Sequence, residues 1–82
     1  MQIKGLLGYE KQVDRYVIYG DDGRRSELHC GDYFEAKIGS HWIGTTIEMQ
    51  WYDDGRHRYF LTQGGLGLAE IIEASVPVRQ TE

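Results

Sequence analysis

The stretch from Leu28 to Tyr52, LHCGDYFEAKIGSHWIGTTIEMQWY, limits the fold more than any other part of the chain. Its side chains alternate with period two on both sides of Gly39-Ser40, and period two is the repeat of a strand. Phe34, Ala36 and Ile38 share one face, and Tyr33, Glu35 and Lys37 the other. Gly39-Ser40 suits a two-residue type II′ turn, because glycine at the first central position accepts a positive φ. Beyond it, Ile43, Thr45, Ile47, Met49 and Trp51 form the inner face. Trp42, Gly44, Thr46, Glu48, Gln50 and Tyr52 form the outer one. The segment is a hairpin with an apolar inner face and an aromatic outer face.

Strands are expected on both sides of it. Ile3–Tyr9 and Arg15–Tyr19 read as strands joined by the polar connection Glu10–Asp14. Asp22-Gly23 and Asp54-Gly55 read as type I′ turns. The first leads into a strand at Arg25–Leu28 and pairs Val17 with Leu28 and Tyr19 with Ser26. The second pairs Met49 with Phe60 and Tyr52 with His57. That register turns Phe60 inward and Tyr59 and Leu61 outward, and a slip of one residue would reverse every side chain. Leu68–Ala74 reads as a closing strand, since the meander's edges need cover. Its good helix formers give a short capping helix as the alternative. Val76–Val78 is extended, and Arg79–Glu82 reads as a frayed tail.

The expected fold is all-β and mainly antiparallel: a small five- to six-stranded barrel or strongly twisted meander, with room for one short helix near 68–74. The expected core is Ile3, Leu7, Val17, Leu28, Phe34, Ala36, Ile38, Ile43, Ile47, Met49, Trp51, Phe60 and Ile72. At 82 residues the chain is one domain, spanning 1–78. Eleven glycines and one proline fit a fold with many turns. A net charge of −4 repels phosphate backbones and argues against general nucleic-acid binding. A single cysteine allows no intrachain disulfide, which fits a reducing, cytoplasmic setting. No run approaches the ~20 apolar residues of a spanning helix, so no membrane role is expected.

Four groups of residues invite a chemical reading, and turn chemistry accounts for each. His29, Cys30 and Asp32 have ligand-type side chains, but neighbours in a strand point to opposite faces and cannot easily share one ion. In the turn reading Gly31 takes an unusual backbone angle, Asp32 caps loop amides and Cys30 is a small buried side chain. Cys30 as a nucleophile needs an oriented base, and the register puts His41 at the far end of the hairpin. Gly64-Gly65-Leu66-Gly67 lacks the strand, helix and lysine partners of a phosphate loop. The aspartates beside Gly23 and Gly55 lack the spacing of a calcium loop. No metal, cofactor or catalytic residue is expected, and the chain does not read as an enzyme.

The outer face is different. Tyr33, Trp42, Gln50, Tyr52, Tyr59 and Leu61 all point away from the core in this register, and Lys37 lies opposite Trp42 as a cation–π candidate. A surface of this kind marks an interaction site. Tyr33, Trp42, Tyr52 and Tyr59 are the expected anchors, with Lys37 and Arg58 among the polar groups around them. The partner is another protein or a second copy of the chain, in a homo-oligomer.

Leu28-His29-Cys30-Gly31-Asp32-x-Phe34-Glu35, followed by Trp42-Ile43-x-Thr45-x-Ile47-Glu48 and Trp51-Tyr52, resembles a family of short proteins that carry a domain of unknown function. Gly5-Leu6 and Arg15-Tyr16 fit the same pattern, and the resemblance covers about residues 4–76. Thr46 stands where that family has an arginine, and Asp53–His57 lengthen the second hairpin. The resemblance implies a small β fold in Gram-positive bacteria and their conjugative elements and phages. It brings no activity and no catalytic residues. From that setting comes a second functional expectation, a counter-defence protein that sequesters a nucleotide signal or blocks a host defence nuclease.

Overall fold

The computed structural model describes residues 2–63 and 65–81. They form one seven-stranded antiparallel sheet, curled into a half-barrel, with one short helix on its concave side. The strands are β1 (Gln2–Glu10), β2 (Arg15–Gly20), β3 (Arg25–Leu28), β4 (Tyr33–Ile38), β5 (His41–Trp51), β6 (His57–Leu61) and β7 (Pro77–Thr81), with helix α1 (Leu68–Glu73) before β7. The order across the sheet is β3-β2-β1-β7-β4-β5-β6. Two three-stranded meanders therefore flank β7, which pairs with β1 on one side and β4 on the other.

The central hairpin has the expected register. Lys37 faces Trp42 and Ile38 faces His41. Gly39 has φ +65° and Ser40 does not share the positive sign, as a type II′ turn requires. The other two tight turns are one residue longer than type I′ turns. Gly23 N–H donates to Gly20 C=O (3.1 Å), Gly20 N–H donates to Arg24 C=O (2.7 Å), and Gly23 has φ +89°. This is a type I turn closed by a left-handed glycine, with the three-residue loop Asp21-Asp22-Gly23. Asp53-Asp54-Gly55 repeats it: Gly55 N–H donates to Tyr52 C=O (3.0 Å), and Tyr52 N–H to Arg56 C=O (2.8 Å). In each loop the second aspartate accepts from the arginine two residues on, at both its backbone N–H and its Nε. Those carboxylates are turn caps.

The extra loop residue moves both registers by one. Tyr16, not Val17, faces Leu28, and Tyr59, not Phe60, faces Met49. Phe60 thus turns outward, while Tyr59 and Leu61 turn inward. The core is Ile3, Leu7, Ile18, Leu28, Phe34, Ala36, Ile47, Leu61, Leu68, Ile71 and Val78. Val17 is buried on the opposite face, where the Tyr19 ring lies across neighbouring Gly8. Of the remaining expected core residues, Ile43, Met49, Phe60 and Ile72 are half-buried. Ile38 (42% exposed) and Trp51 (60%) are solvent-facing because they sit at strand ends, beyond the helix's cover.

Residues 68–73 are helical rather than a closing strand. Their apolar side chains recur at spacings of three and four, which a helix gathers on one side, and α1 buries Leu68 and Ile71 against the concave face. It ends in a Schellman motif: Val76 N–H donates to Ile71 C=O and Ser75 N–H to Ile72 C=O, with Ser75 at φ 51°. The expected tail is instead the central strand. Pro77–Thr81 is held between β1 and β4, and Val78 is fully buried. Glu82 lies outside the described residues.

Candidate functional site

The registers place the outer-face side chains on a grid. One row crosses five strands as Tyr19 (β2), Leu6 (β1), Pro77 (β7), Lys37 (β4) and Trp42 (β5). The next row reads Lys4, Arg79, Glu35 and Gly44. At about 4.8 Å between strands the first row runs for roughly 20 Å. Leu6 is 45% exposed and Tyr19 41%, so the row is an apolar band on an open surface.

A groove of about 290 Å³ lies along this band, lined by Lys4, Leu6, Asp21, Lys37, Trp42 and Pro77. Trp42 is half-buried and held by a charged neighbour. Its indole reaches across β4 to the Arg79 guanidinium, 4.1 Å from the ring centroid. Arg79 in turn donates from Nε to Glu35 Oε1 at 2.7 Å. Lys37 faces Trp42 in register, yet the cation on the ring is Arg79. Tyr33, 56% exposed, folds its ring across Gly44 on the same face. Lys4 and Lys37 form no ion pair among the described residues and lend the groove a positive rim.

The structure brings Tyr33, Trp42 and Lys37 together and separates the other expected anchors from them. Tyr52 lies ten residues beyond Trp42 along the direction of β5, roughly 33 Å away. Arg56 sits over its ring. Arg58 is exposed beside Phe60 and Gln50, at the sheet's edge. Tyr59 is not on the outer face at all: the three-residue turn before β6 sends it inward, against Tyr16 in an edge-to-face contact (5.6 Å between centroids). Leu6, Tyr19, Pro77 and Arg79 are missed by the sequence reading: the first three lie in segments read as extended but with no pairing to the hairpin, and Arg79 in the expected tail. The alternation of Lys4-Gly5-Leu6 was the available signal.

A second gathering of polar groups ties the β1–β2 connection to β6. Asp14, at φ 51°, accepts from the Tyr9 hydroxyl and bonds His57 Nε2 through its other oxygen. Arg15 donates to the Tyr59 hydroxyl (2.7 Å), which donates to Asp14 C=O (2.9 Å). The Tyr9 hydrogen bond, and after it the bond to His57, holds the Asp14 carboxyl below the usual carboxylate range. The same bond pushes the Tyr9 phenol up to about 12. His57 and Tyr59 are consumed in this clasp.

The remaining groups behave as turn chemistry. Asp32 Oδ2 accepts from His29 N–H (2.8 Å) and Gly31 takes φ +95°. Cys30, expected to be buried, is exposed, with Sγ 3.4 Å from Glu48 Oε2. No group of three or more His, Cys, Asp or Glu among the described residues is placed to hold a metal ion. In the glycine loop, Gly64 lies outside the described residues. The Glu70 carboxylate folds onto Gly67, 1.8 Å from where a Cβ would stand, so this loop meets a carboxylate rather than an anion's space. No described helix is long and apolar enough to cross a membrane.

A family model for a domain of unknown function, DUF5348, matches residues 5–75. The chain belongs to this family. The matched DUF5348 span runs from β1 through α1, and β7 lies beyond it. No curated protein and no solved structure matches the chain.

Proposed function

We propose that this DUF5348 domain is a non-catalytic binding module that presents the band Tyr19–Leu6–Pro77–Trp42, with Tyr33, to a protein partner. One observation carries the reading: an aromatic anchor, Trp42, is pinned by Arg79 at the wall of a groove lined besides by Leu6, Pro77, Asp21 and two lysines that form no ion pair among the described residues. Preorganised aromatic residues beside arginine are the usual centres of binding energy. The rim charges fit an acidic surface on the partner better than a second copy, which would bring Lys4 and Lys37 against themselves. A bacterial mobile element or phage, and a cytoplasmic site of action, complete the proposal. Sequestration of a nucleotide has less support, because the Arg79 guanidinium already occupies a face of the ring on which a base would stack.

Replacing Trp42 by Ala tests this reading. The side chain is half-buried on the outer face and outside the main core, so the variant keeps the wild-type circular dichroism spectrum. Binding to a partner recovered by affinity capture weakens by about 2 kcal/mol or more, the loss of a hot-spot residue. Unchanged affinity in a folded variant, measured by calorimetry, removes the aromatic band as the binding surface.

A further inference from the structure

β6 is an edge strand of the sheet, and the ladder fixes which of its backbone groups are unspent. Tyr52 pairs with Arg56 and Thr62 N–H donates to Thr46 C=O (3.0 Å). Hydrogen-bonded pairs alternate along an antiparallel ladder, so Arg58 and Phe60 give their backbone groups to β5. His57, Tyr59 and Leu61 point theirs the other way. Among the described residues no backbone bond meets them there. Leu61 is only 9% exposed, and backbone groups beside so buried a residue need a partner.

Alongside this edge runs a trough of about 360 Å³. Tyr16, Tyr59, Leu61, Leu66 and Leu68 line it, with Arg58 and Glu70 as its charged residues. The edge carries no proline, and Arg58 is its one arginine or lysine. The opposite edge of the sheet is different: on β3, Arg25 bonds both Glu10 and Glu27.

We propose that the β6 edge captures an extended peptide segment as an eighth strand, with apolar side chains at alternate positions and an acidic one between them. The alternation follows from the rows already present. Met49–Tyr59 and Ile47–Leu61 face the concave side, so the residues added to these rows enter the trough. Gln50–Arg58 faces outward, and Arg58 is an exposed cation without an ion pair among the described residues, its one hydrogen bond a long contact (3.4 Å) to Gln50. A carboxylate added to that row completes a cross-strand pair. A second copy fits less well. β6 itself, His57-Arg58-Tyr59-Phe60-Leu61, has no acid to offer Arg58, and the one acid of β3, Glu27, is held by Arg25. This surface is separate from the Trp42 groove and does not depend on that groove's function.

The test is a titration of the isotope-labelled domain with an end-capped peptide, Val-Glu-Val-Glu-Val, followed by NMR and by amide exchange in heavy water. The amides of His57, Tyr59 and Leu61 shift, and their exchange slows about ten-fold or more at saturation. Arg58 and Phe60, already bonded to β5, keep their rates. The lysine analogue Val-Lys-Val-Lys-Val binds about two- to five-fold more weakly, the scale of one cross-strand pair. Arg58→Glu, an exposed change that leaves the fold intact, reverses that preference. Three results overturn the proposal: no change at these amides with either peptide, shifts centred on Trp42 instead, or protection that grows with protein concentration in the absence of peptide, which would make a second copy the occupant.

Discussion

The two meanders on either side of β7 share a local design and differ in how they finish. Each is a hairpin followed by a third strand, and each third strand enters through the same Asp-Asp-Gly-Arg turn. In the first meander the charged side chains of the outer strand, β3, are paired: Arg25 bridges Glu10 and Glu27, and Ser26 Oγ donates to Gln80 Oε1 on β7 at 2.8 Å. In the second, the outer strand β6 has aromatic side chains, an arginine without an ion pair among the described residues, and a trough beside it. Turn chemistry decides where a strand begins.

The largest expected effect separates the two meanders by a single methyl group. A Cβ on Gly5, in β1, would stand 1.9 Å from the Tyr19 carbonyl oxygen and 2.9 Å from Gly20 Cα, both backbone atoms. A Cβ on Gly44, in β5, would first meet the outer end of the Tyr33 ring, a residue that is 56% exposed and has room to swing away. Gly5→Ala must spread β1 from β2 and costs about 3 kcal/mol, the upper range for overpacking. Gly44→Ala costs under about 1 kcal/mol, since alanine also suits a strand no worse than glycine. Urea melts of the two variants check this contrast, and equal losses would show that the meanders are equally rigid.

The matched turns make the next comparison, and it is a comparison of equals. Gly23 and Gly55 both sit in the left-handed region, at +89° and +85°, and each has open space around its missing Cβ. Only backbone strain opposes alanine at either position. Gly23→Ala and Gly55→Ala should each cost about 1–2 kcal/mol and should agree within about 0.5 kcal/mol. A clear difference between their melting midpoints would mean that one turn carries load that the other does not.

The same turns mark where sequence reasoning held and where it slipped. Alternation through residues 33–51 and glycine at the first position of Gly39-Ser40 fixed the central hairpin, register included, because a two-residue loop leaves no freedom. Asp-Gly in the other two turns is compatible with both a two- and a three-residue loop. The preceding aspartate, whose neighbour's carboxylate caps the arginine two residues later, tips the balance through contacts that exist only once the loop is folded. One residue of slip then put Tyr59 on the wrong face. β7 was hidden for another reason. Val78 is the only residue of Pro77–Thr81 that is fully buried, so the segment has too little apolar pattern to announce a central strand. Without β7, Arg79 could not be placed on Trp42, and only half of the groove was visible from its sequence.

The smallest effect concerns a side-chain contact between the two meanders, the clasp of Asp14 to His57. Asp14 holds its carboxyl below the ordinary range in the folded state, chiefly through the Tyr9 hydroxyl and then through His57. A carboxylate depressed by folding stabilises the fold above its unfolded pKa of about 3.9 and loses that contribution as pH falls through the folded value. Asp14→Asn should therefore lower stability at pH 7 and do so less and less below about pH 4. Asn tolerates the left-handed backbone that Asp14 adopts, so the change removes charge without adding strain. The side chain is 41% exposed, and solvent screening keeps the loss under about 1 kcal/mol. Urea midpoints of wild type and variant, followed from neutral to acid, should converge. Curves that stay parallel would mean that the clasp works through shape and hydrogen bonding alone, and that the link between the two meanders is indifferent to charge.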